Sequence, residues 1–340
     1  MDIKNNMVLT TNSLKERISD QILKNRIPIH TTISITKGCN FRCLYCYEQP
    51  LKENNTTIPL NQWKNILKQV KQRGCISLTI TGGEPLYSKD FINIYEYAYD
   101  LNFKVNIITN LSLINDEVLT LLRKKPPVEI SGTLYGVSNK TYDEFCKHKK
   151  GWDIVKNNID KLLRNNINIK LHTVLNVYNN AELKEMLDYT NKNNINFHVY
   201  RKVSCDINGN KEPQKYQINQ IQEIESYNII KDEELAIQST KNNQKLWEKG
   251  YKNCCAGISS CYINSRGEMY LCNRYVNSSF NVLDLGFDES WNNIYHLRKE
   301  IIEVVNECGK CKKNIYCGKC NPIFISEKDR PAKCKEFKLK

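Results

Sequence analysis

Long apolar runs are missing from this 340-residue chain, so nothing in it reads as a membrane-spanning helix. The first dozen residues are polar and lack the apolar stretch of a secretory signal, which points to a cytoplasmic protein. No fixed-period repeat recurs, which excludes a solenoid. Also absent are a long basic run and any basic motif interleaved with aromatics, although the formal net charge is +13. Scattered cations of this kind read as a solvated surface with some steering of an anionic substrate, such as an acidic peptide, and disfavour nucleic acid as a partner. What the chain has in excess is cysteine, fifteen in all. In a reducing compartment that number points to metal rather than to disulfides.

Three of these cysteines, Cys39, Cys43 and Cys46, form a C-x3-C-x2-C run directly after residues 29–36, an apolar segment that reads as a buried strand. Three soft thiolates so close together grip one metal centre. No fourth cysteine lies nearby. A structural zinc site is closed by four protein ligands, whereas a three-ligand site leaves a position open for chemistry. A zinc knuckle that borrows a distant ligand is the plainer alternative.

Strand and helix signals alternate from residue 29 onward. Strands are predicted over 29–36, 75–81, 103–109, 128–134, 167–175 and 195–200. Helices are predicted over 13–24, 60–73, 88–101, 115–125, 152–165 and 181–193. Asn115 caps one of these helices, and Pro126-Pro127 ends it. Six strands, each followed by a helix or finally by a long linker, predict a parallel α/β sheet with right-handed crossovers. Periodicity does not say whether the sheet closes. Gly82-Gly83-Glu84-Pro85 sits at the C-terminal end of the second strand, where α/β folds bind ligands, and its glycines allow a close main-chain approach. Beyond residue 205 the pattern breaks into a polar bridge, with helices expected around 219–227, 231–238 and 242–249. A hairpin over 262–271 and a helix over 291–305 follow.

The cysteine run, with Tyr45 just before its last member and Gly82 to Pro85 one βα unit later, resembles the radical S-adenosylmethionine (radical SAM) enzymes. That resemblance implies a partial (β/α)6 TIM-like barrel, open on one side for a large substrate. It implies a 4Fe–4S cluster on Cys39, Cys43 and Cys46 whose fourth iron chelates S-adenosyl-L-methionine. Gly82, Gly83, Glu84 and Pro85 would meet the methionine amino group, and the backbone of Tyr45 the adenine. Asn110 occupies a further expected cofactor position, although Leu111 stands where relatives usually carry glycine. Ser131 and Thr133 share one strand face and present hydroxyls suited to the cofactor's carboxylate or ribose, or to structural hydrogen bonds.

The tail resembles the SPASM extension of radical enzymes that modify peptides, which implies up to two auxiliary 4Fe–4S clusters. By position, one takes Cys255, Cys261, Cys272 and Cys320, and the other Cys308, Cys311, Cys317 and Cys334. The last pair is spaced x2 where x3 is commoner, and Cys254 is an alternative to Cys261. Eleven ligating thiolates around three dicationic clusters would lower the net charge to roughly +8. Cys75 and Cys146 read as ordinary buried cysteines, Cys205 as a candidate hydrogen-atom donor, and His172 as a core histidine.

The expected organisation is a helical extension (1–28), the α/β barrel (29–205), a helical bridge (206–250) and a small cysteine-rich auxiliary-cluster domain (251–340). No separate leader-binding domain is expected ahead of the first strand. The expected activity is hydrogen abstraction from a peptide by a 5′-deoxyadenosyl radical, installing a thioether or carbon–carbon cross-link in a ribosomally made precursor. An electron donor such as flavodoxin or ferredoxin is the expected partner. A formylglycine-type sulfatase maturase, a peptide epimerase and a zinc-dependent nucleic-acid-binding module are the alternatives.

Overall fold

The computed structural model describes residues 11–48, 57–230 and 255–304. The bridge helices expected over 231–238 and 242–249 lie outside the described residues. So do Cys254, Cys308, Cys311, Cys317, Cys320 and Cys334.

After helix α1 (Thr11–Asn25), six strands pair in chain order, all parallel. They are β1 (His30–Ser34), β2 (Ser77–Thr81), β3 (Lys104–Thr109), β4 (Glu129–Thr133), β5 (Ile169–Val174) and β6 (Asn196–Tyr200). The crossovers carry α2 (Leu60–Gln72), α3 (Phe91–Asp100), α4 (Asp116–Lys124), α5 (Asn139–Cys146), α6 (Gly151–Arg164) and α7 (Leu183–Lys192). This is the expected partial (β/α)6 barrel. Asn115 caps α4 as expected, its side-chain oxygen accepting from the Val118 N–H at 2.8 Å.

Alternation along the strands sorts the two faces. Ile33, Ile80, Ile107, Ile130 and Leu171 are buried under the helices, where Trp63, Ile66 and Leu67 of α2 meet them. The other face is polar. Thr32, Thr79, Asn106 and Glu129 form one register row; Ser131 and Thr133 follow Glu129 along β4, and His172 stands beside Thr133 on β5. A barrel with a polar inner face has room for a hydrated ligand, because nothing there demands apolar filling.

Two elements differ from the sequence reading. The third helix begins at Phe91 rather than 88, because Pro85–Tyr87 form a short 3-10 turn first. Helix α5 ends at Cys146, which reads as helical from the sequence although no bounds are predicted there; Ser138 caps it by accepting from the Thr141 N–H at 3.1 Å.

The hairpin predicted over 262–271 is present as β7 (Ser260–Ile263) and β8 (Glu268–Tyr270), followed by β9 (Phe280–Asn281). Strand β7 pairs in parallel with β1, so the hairpin extends the barrel's own sheet to nine strands. A short helix, α9 (Val282–Leu285), leads into α10 (Phe287–Val304); α8 (Gln220–Ile230) precedes both in the chain. Trp291 of α10 is fully buried, and its indole N–H donates to the Arg26 carbonyl at 2.9 Å. The main-chain N–H of Phe287 donates to Gln69 of α2 at 2.8 Å.

Candidate active site

The cysteine loop leaves β1 and is fastened on two sides. On one side it lies on the loop after β2. The N–H of Ile35 donates to Thr81, that of Gly83 to Thr36 and that of Glu84 to Gly38, each at 2.9 Å. A Cβ on Gly82 would stand 2.7 Å from the Thr36 carbonyl oxygen, and one on Gly83 would stand 2.6 Å from that of Gly38. The close approach these glycines permit is therefore main chain to main chain, and it sets the height of the cysteine loop. On the other side, Arg42 and Leu44 donate their N–H groups to the Cys146 and Phe145 carbonyls at 2.8 and 3.1 Å. Tyr45 packs its ring against Phe145 at 4.7 Å.

Glu84 joins these pieces. It is fully buried, and its carboxylate accepts from the N–H of Leu86 (3.1 Å), the hydroxyl of Thr109 (2.7 Å) and the N–H of Asn110 (2.7 Å). Burial pushes its pKa up to about 7 against those three hydrogen bonds. Asn110 is the next link. Its side-chain amide donates to Asn40 at 3.0 Å and points at the Cys39 sulfur at 3.9 Å, while its oxygen accepts from the Ser112 N–H and hydroxyl. Leu111 follows with φ 66°, the left-handed conformation for which glycine is the usual residue. Its side chain is fully buried over Gly132 of β4, where a Cβ would collide with it. The missing glycine is thus matched by a glycine on the neighbouring strand.

Cys39, Cys43 and Cys46 come together on one loop, with Cys46 donating its N–H to the Cys43 carbonyl at 3.0 Å. The Cys39 sulfur also accepts from the Phe41 N–H at 3.3 Å. Burial pushes this thiol up to about 12, with the nearby Glu84, Cys43 and Cys46 adding to the effect. Among the described residues no group of three or more His, Cys, Asp or Glu side chains is drawn together tightly enough to hold a metal ion. The donor set nevertheless fits a thiolate-held iron–sulfur centre: three cysteines on one braced loop, with N–H groups directed at the Cys39 sulfur.

The end of the loop is clamped by parts of the chain the sequence reading did not connect to it. The Tyr47 carbonyl accepts from the Ile207 N–H at 3.0 Å, and its hydroxyl from Asn273 at 3.0 Å. The Arg274 guanidinium lies over the Tyr47 ring at 4.5 Å and donates to the carbonyl of the buried Cys205 at 3.4 Å. Glu48, pushed up to about 7 by burial, accepts from the Tyr262 hydroxyl at 3.4 Å. Contacts spanning more than two hundred residues leave no local signal in a sequence.

Ser131 and Thr133 both meet His172 of β5, Ser131 at Nδ1 (3.2 Å) and Thr133 at Nε2 (3.0 Å). Burial, then the charges of Lys170 and His198, push His172 down to about 4, so its ring is neutral at physiological pH. Three tail cysteines lie among the described residues. Cys255 is exposed and Cys272 half-buried, whereas Cys261 is buried on the helix-covered face, 3.7 Å from the Thr31 hydroxyl.

Residues 33–190 match the Radical SAM superfamily model. The chain carries a radical SAM domain, and it is an enzyme. Among similar proteins, an AdoMet-dependent heme synthase of Methanosarcina barkeri is 22% identical over 314 residues, 84% of this chain and 89% of that protein. The sporulation killing factor maturation protein SkfB of Bacillus subtilis is 28% identical over 166 residues, 49% of this chain and 40% of SkfB. The solved structure of Streptococcus suis SuiB bound to precursor peptide SuiA matches with a TM-score of 0.69 at 20% identity, covering 96% of this chain and 80% of that one. At that identity it supports the fold. That superfamily implies S-adenosylmethionine and a 4Fe–4S cluster. No helix among the described residues is long and apolar enough to cross a membrane.

Proposed function

We propose that this radical SAM enzyme modifies a peptide, installing a thioether or carbon–carbon cross-link in a ribosomally made precursor. The observation that carries the reading is the cysteine loop seated on Gly82-Gly83, beside an open and polar barrel face. Cys39, Cys43 and Cys46 would hold the cluster. The cluster and S-adenosylmethionine, when bound, would supply radical chemistry able to take hydrogen from an unactivated carbon.

The chain's own part is to position and shield. Glu84 and Asn110 fix the loop at the C-terminal ends of β1 to β3, where α/β folds bind ligands, so its cysteines would hold the cluster there. Main-chain groups around Gly82, Gly83 and Pro85 are offered to the cofactor's amino group, and Tyr45 to its adenine. The hydroxyls of Ser131 and Thr133, already bonded to neutral His172, are offered to its carboxylate or ribose. The polar barrel face suits a peptide's main chain and polar side chains. SkfB, named as a maturation protein, and SuiB, solved with a precursor peptide, point the same way. The likeness to a heme synthase offers a tetrapyrrole as the rival substrate. Hydroxyls and the Glu129–Lys170 ion pair (2.6 Å) on that face disfavour a large apolar macrocycle.

In this reading Cys255, Cys261, Cys272, Cys308, Cys311, Cys317, Cys320 and Cys334 hold up to two auxiliary clusters. Cys261 would then have to leave its place beside Thr31, so Cys254 is the better first ligand. A flavodoxin- or ferredoxin-type donor supplies the electron.

The test is anaerobic reconstitution followed by reaction with reductant, S-adenosylmethionine and the peptide encoded by a neighbouring short open reading frame. The expected result is deoxyadenosine, methionine and a peptide lighter by two hydrogens with its sulfur retained. Loss of sulfur with formylglycine, an unchanged mass with inverted stereochemistry, or turnover of a tetrapyrrole alone would each overturn the cross-linking assignment. Deoxyadenosine formation undiminished in the Cys39→Ala/Cys43→Ala/Cys46→Ala variant would defeat the cluster assignment.

A further inference from the structure

We propose that the turn Lys147-His148-Lys149-Lys150, between α5 and α6, is the docking site of the one-electron donor, a small acidic carrier protein of the flavodoxin type. The inference rests on the reading of Cys39, Cys43 and Cys46 as cluster ligands and adds where the electron enters.

The turn concentrates charge. Lys147, Lys149 and Lys150 are all exposed. Among the described residues no carboxylate pairs with them; the Lys147 ammonium donates to the main-chain carbonyl of Glu144 at 2.7 Å. The acids nearby are Asp143 and Glu144 on α5 and Asp153 on α6, the last held by the Asn139 amide at 2.7 Å. Over residues 140–156 five lysines meet three acids, so the turn carries +3 and its flanks −1. Lys147 closes α5 and Lys150 opens α6, both in the left-handed conformation (φ 56° and 54°). Glycine would adopt these bends with less strain, yet lysine stands at each.

The same turn backs onto the cysteine loop. The Cys146 carbonyl, one residue before it, accepts from the Arg42 N–H at 2.8 Å. The His148 ring is half-buried and lies 4.7 Å from the Phe41 ring, and the Phe41 N–H donates to the Cys39 sulfur at 3.3 Å. Two contacts thus lead from the turn to a ligand sulfur. The Arg42 guanidinium donates to the carbonyls of Cys39 (2.5 Å) and Phe41 (2.7 Å), which makes turn and loop one braced unit. Helices α5 and α6 belong to the helical layer, with Phe145, Val155 and Ile159 in the core, so a carrier seated here leaves the polar face of the sheet to the substrate. That placement favours a redox partner over an anionic stretch of the peptide. The step is electron transfer alone. The reduced flavin gives up one electron, the dicationic cluster would gain it, and no bond is made or broken in either protein.

The experiment compares three reconstituted full chains: the unaltered one, Lys147→Glu/Lys149→Glu/Lys150→Glu, and Lys104→Glu/Lys124→Glu/Lys192→Glu. The last makes the same change of charge at the other end of the barrel, where β3 begins and α4 and α7 end. The probe is a bacterial flavodoxin. Its binding is measured by titration calorimetry, and deoxyadenosine formation is driven by limiting reduced flavodoxin or by dithionite. At low salt the turn variant should bind flavodoxin roughly tenfold more weakly and lose the flavodoxin-driven rate by a similar factor. With dithionite it should match the unaltered chain. At 1 M salt, where the screening length is about 3 Å, the difference should largely vanish. Unchanged flavodoxin affinity in the turn variant, or equal weakening in the remote variant, would overturn the proposal. So would a loss of affinity for the precursor peptide in place of flavodoxin. If the turn variant takes up less iron, lysine acetylation of the unaltered chain decides the question. Flavodoxin should protect Lys147, Lys149 and Lys150 but not Lys104, Lys124 and Lys192, and equal labelling at both ends would refute the docking site. An unaltered chain that gives no deoxyadenosine even with dithionite would defeat the cluster reading, whatever the protection map shows.

Discussion

Glu84 belongs to the motif whose resemblance implies a contact with the cofactor's amino group, yet its carboxylate is spent on three buried donors. Replacing it with alanine strands the N–H groups of Leu86 and Asn110, while the Thr109 hydroxyl can turn elsewhere. An unpaired buried donor costs about 1–3 kcal/mol, so Glu84→Ala should cost roughly 2–6 kcal/mol. Glu84→Gln keeps one acceptor oxygen and turns an NH2 towards the other donors, for a loss of about 1–3 kcal/mol.

The carboxyl's pH dependence runs opposite to that of a salt-bridged acid. Its pKa rises from the ordinary 4.5 to about 7 on folding, so between those values the folded chain holds a proton that the unfolded chain releases. Stability from this group is complete below 4.5, falls as pH rises, and is gone above about 7; the span is worth roughly 3 kcal/mol. The assay is urea unfolding, followed by tryptophan fluorescence at pH 5.5, 7 and 8 on samples of matched iron content. Glu84→Gln should be flatter than the unaltered chain across that window. If Glu84→Ala unfolds within 1 kcal/mol of the unaltered chain and loses only S-adenosylmethionine binding, the bracing argument is refuted.

Four further outcomes follow from particular contacts. Gly83→Ala puts a methyl 2.6 Å from the Gly38 carbonyl oxygen and 2.8 Å from that of Lys37, so the cysteine loop must lift; iron content after reconstitution should drop severalfold while circular dichroism is retained. Gly132→Ala drives a methyl into Leu111 and should cost about 1–3 kcal/mol in urea unfolding, with Leu111→Ala in the same chain recovering part of the loss. His172 should titrate near 4 by nitrogen NMR, and a midpoint at the ordinary 6.5 would show that its burial between Ser131 and Thr133 is misjudged. Trp291→Ala, which removes a fully buried ring fixed to Arg26, should destabilise the barrel itself by about 3–5 kcal/mol, because its helix packs on the barrel's helical layer; a loss confined to auxiliary-cluster content would contradict this.

The sequence by itself determined the parallel α/β alternation, the strand faces and the three-cysteine loop with its Gly-Gly-Glu partner. Each of these is written in local terms: periods of two and 3.6, caps and stops, and ligands within eight residues of one another. Only the tertiary structure decided what those residues touch. It made Gly82 and Gly83 seats for the chain itself, gave Glu84 to Asn110, gave the Ser131 and Thr133 hydroxyls to His172, and tied the cysteine loop to the Phe145 and Cys146 carbonyls. It also laid the tail's hairpin beside β1. The physical reason is the same in each case. A hydrogen bond or a packed ring between residues on different strands and loops, tens to hundreds of positions apart, depends on how the sheet curls and where its edges meet, and no window of sequence records that.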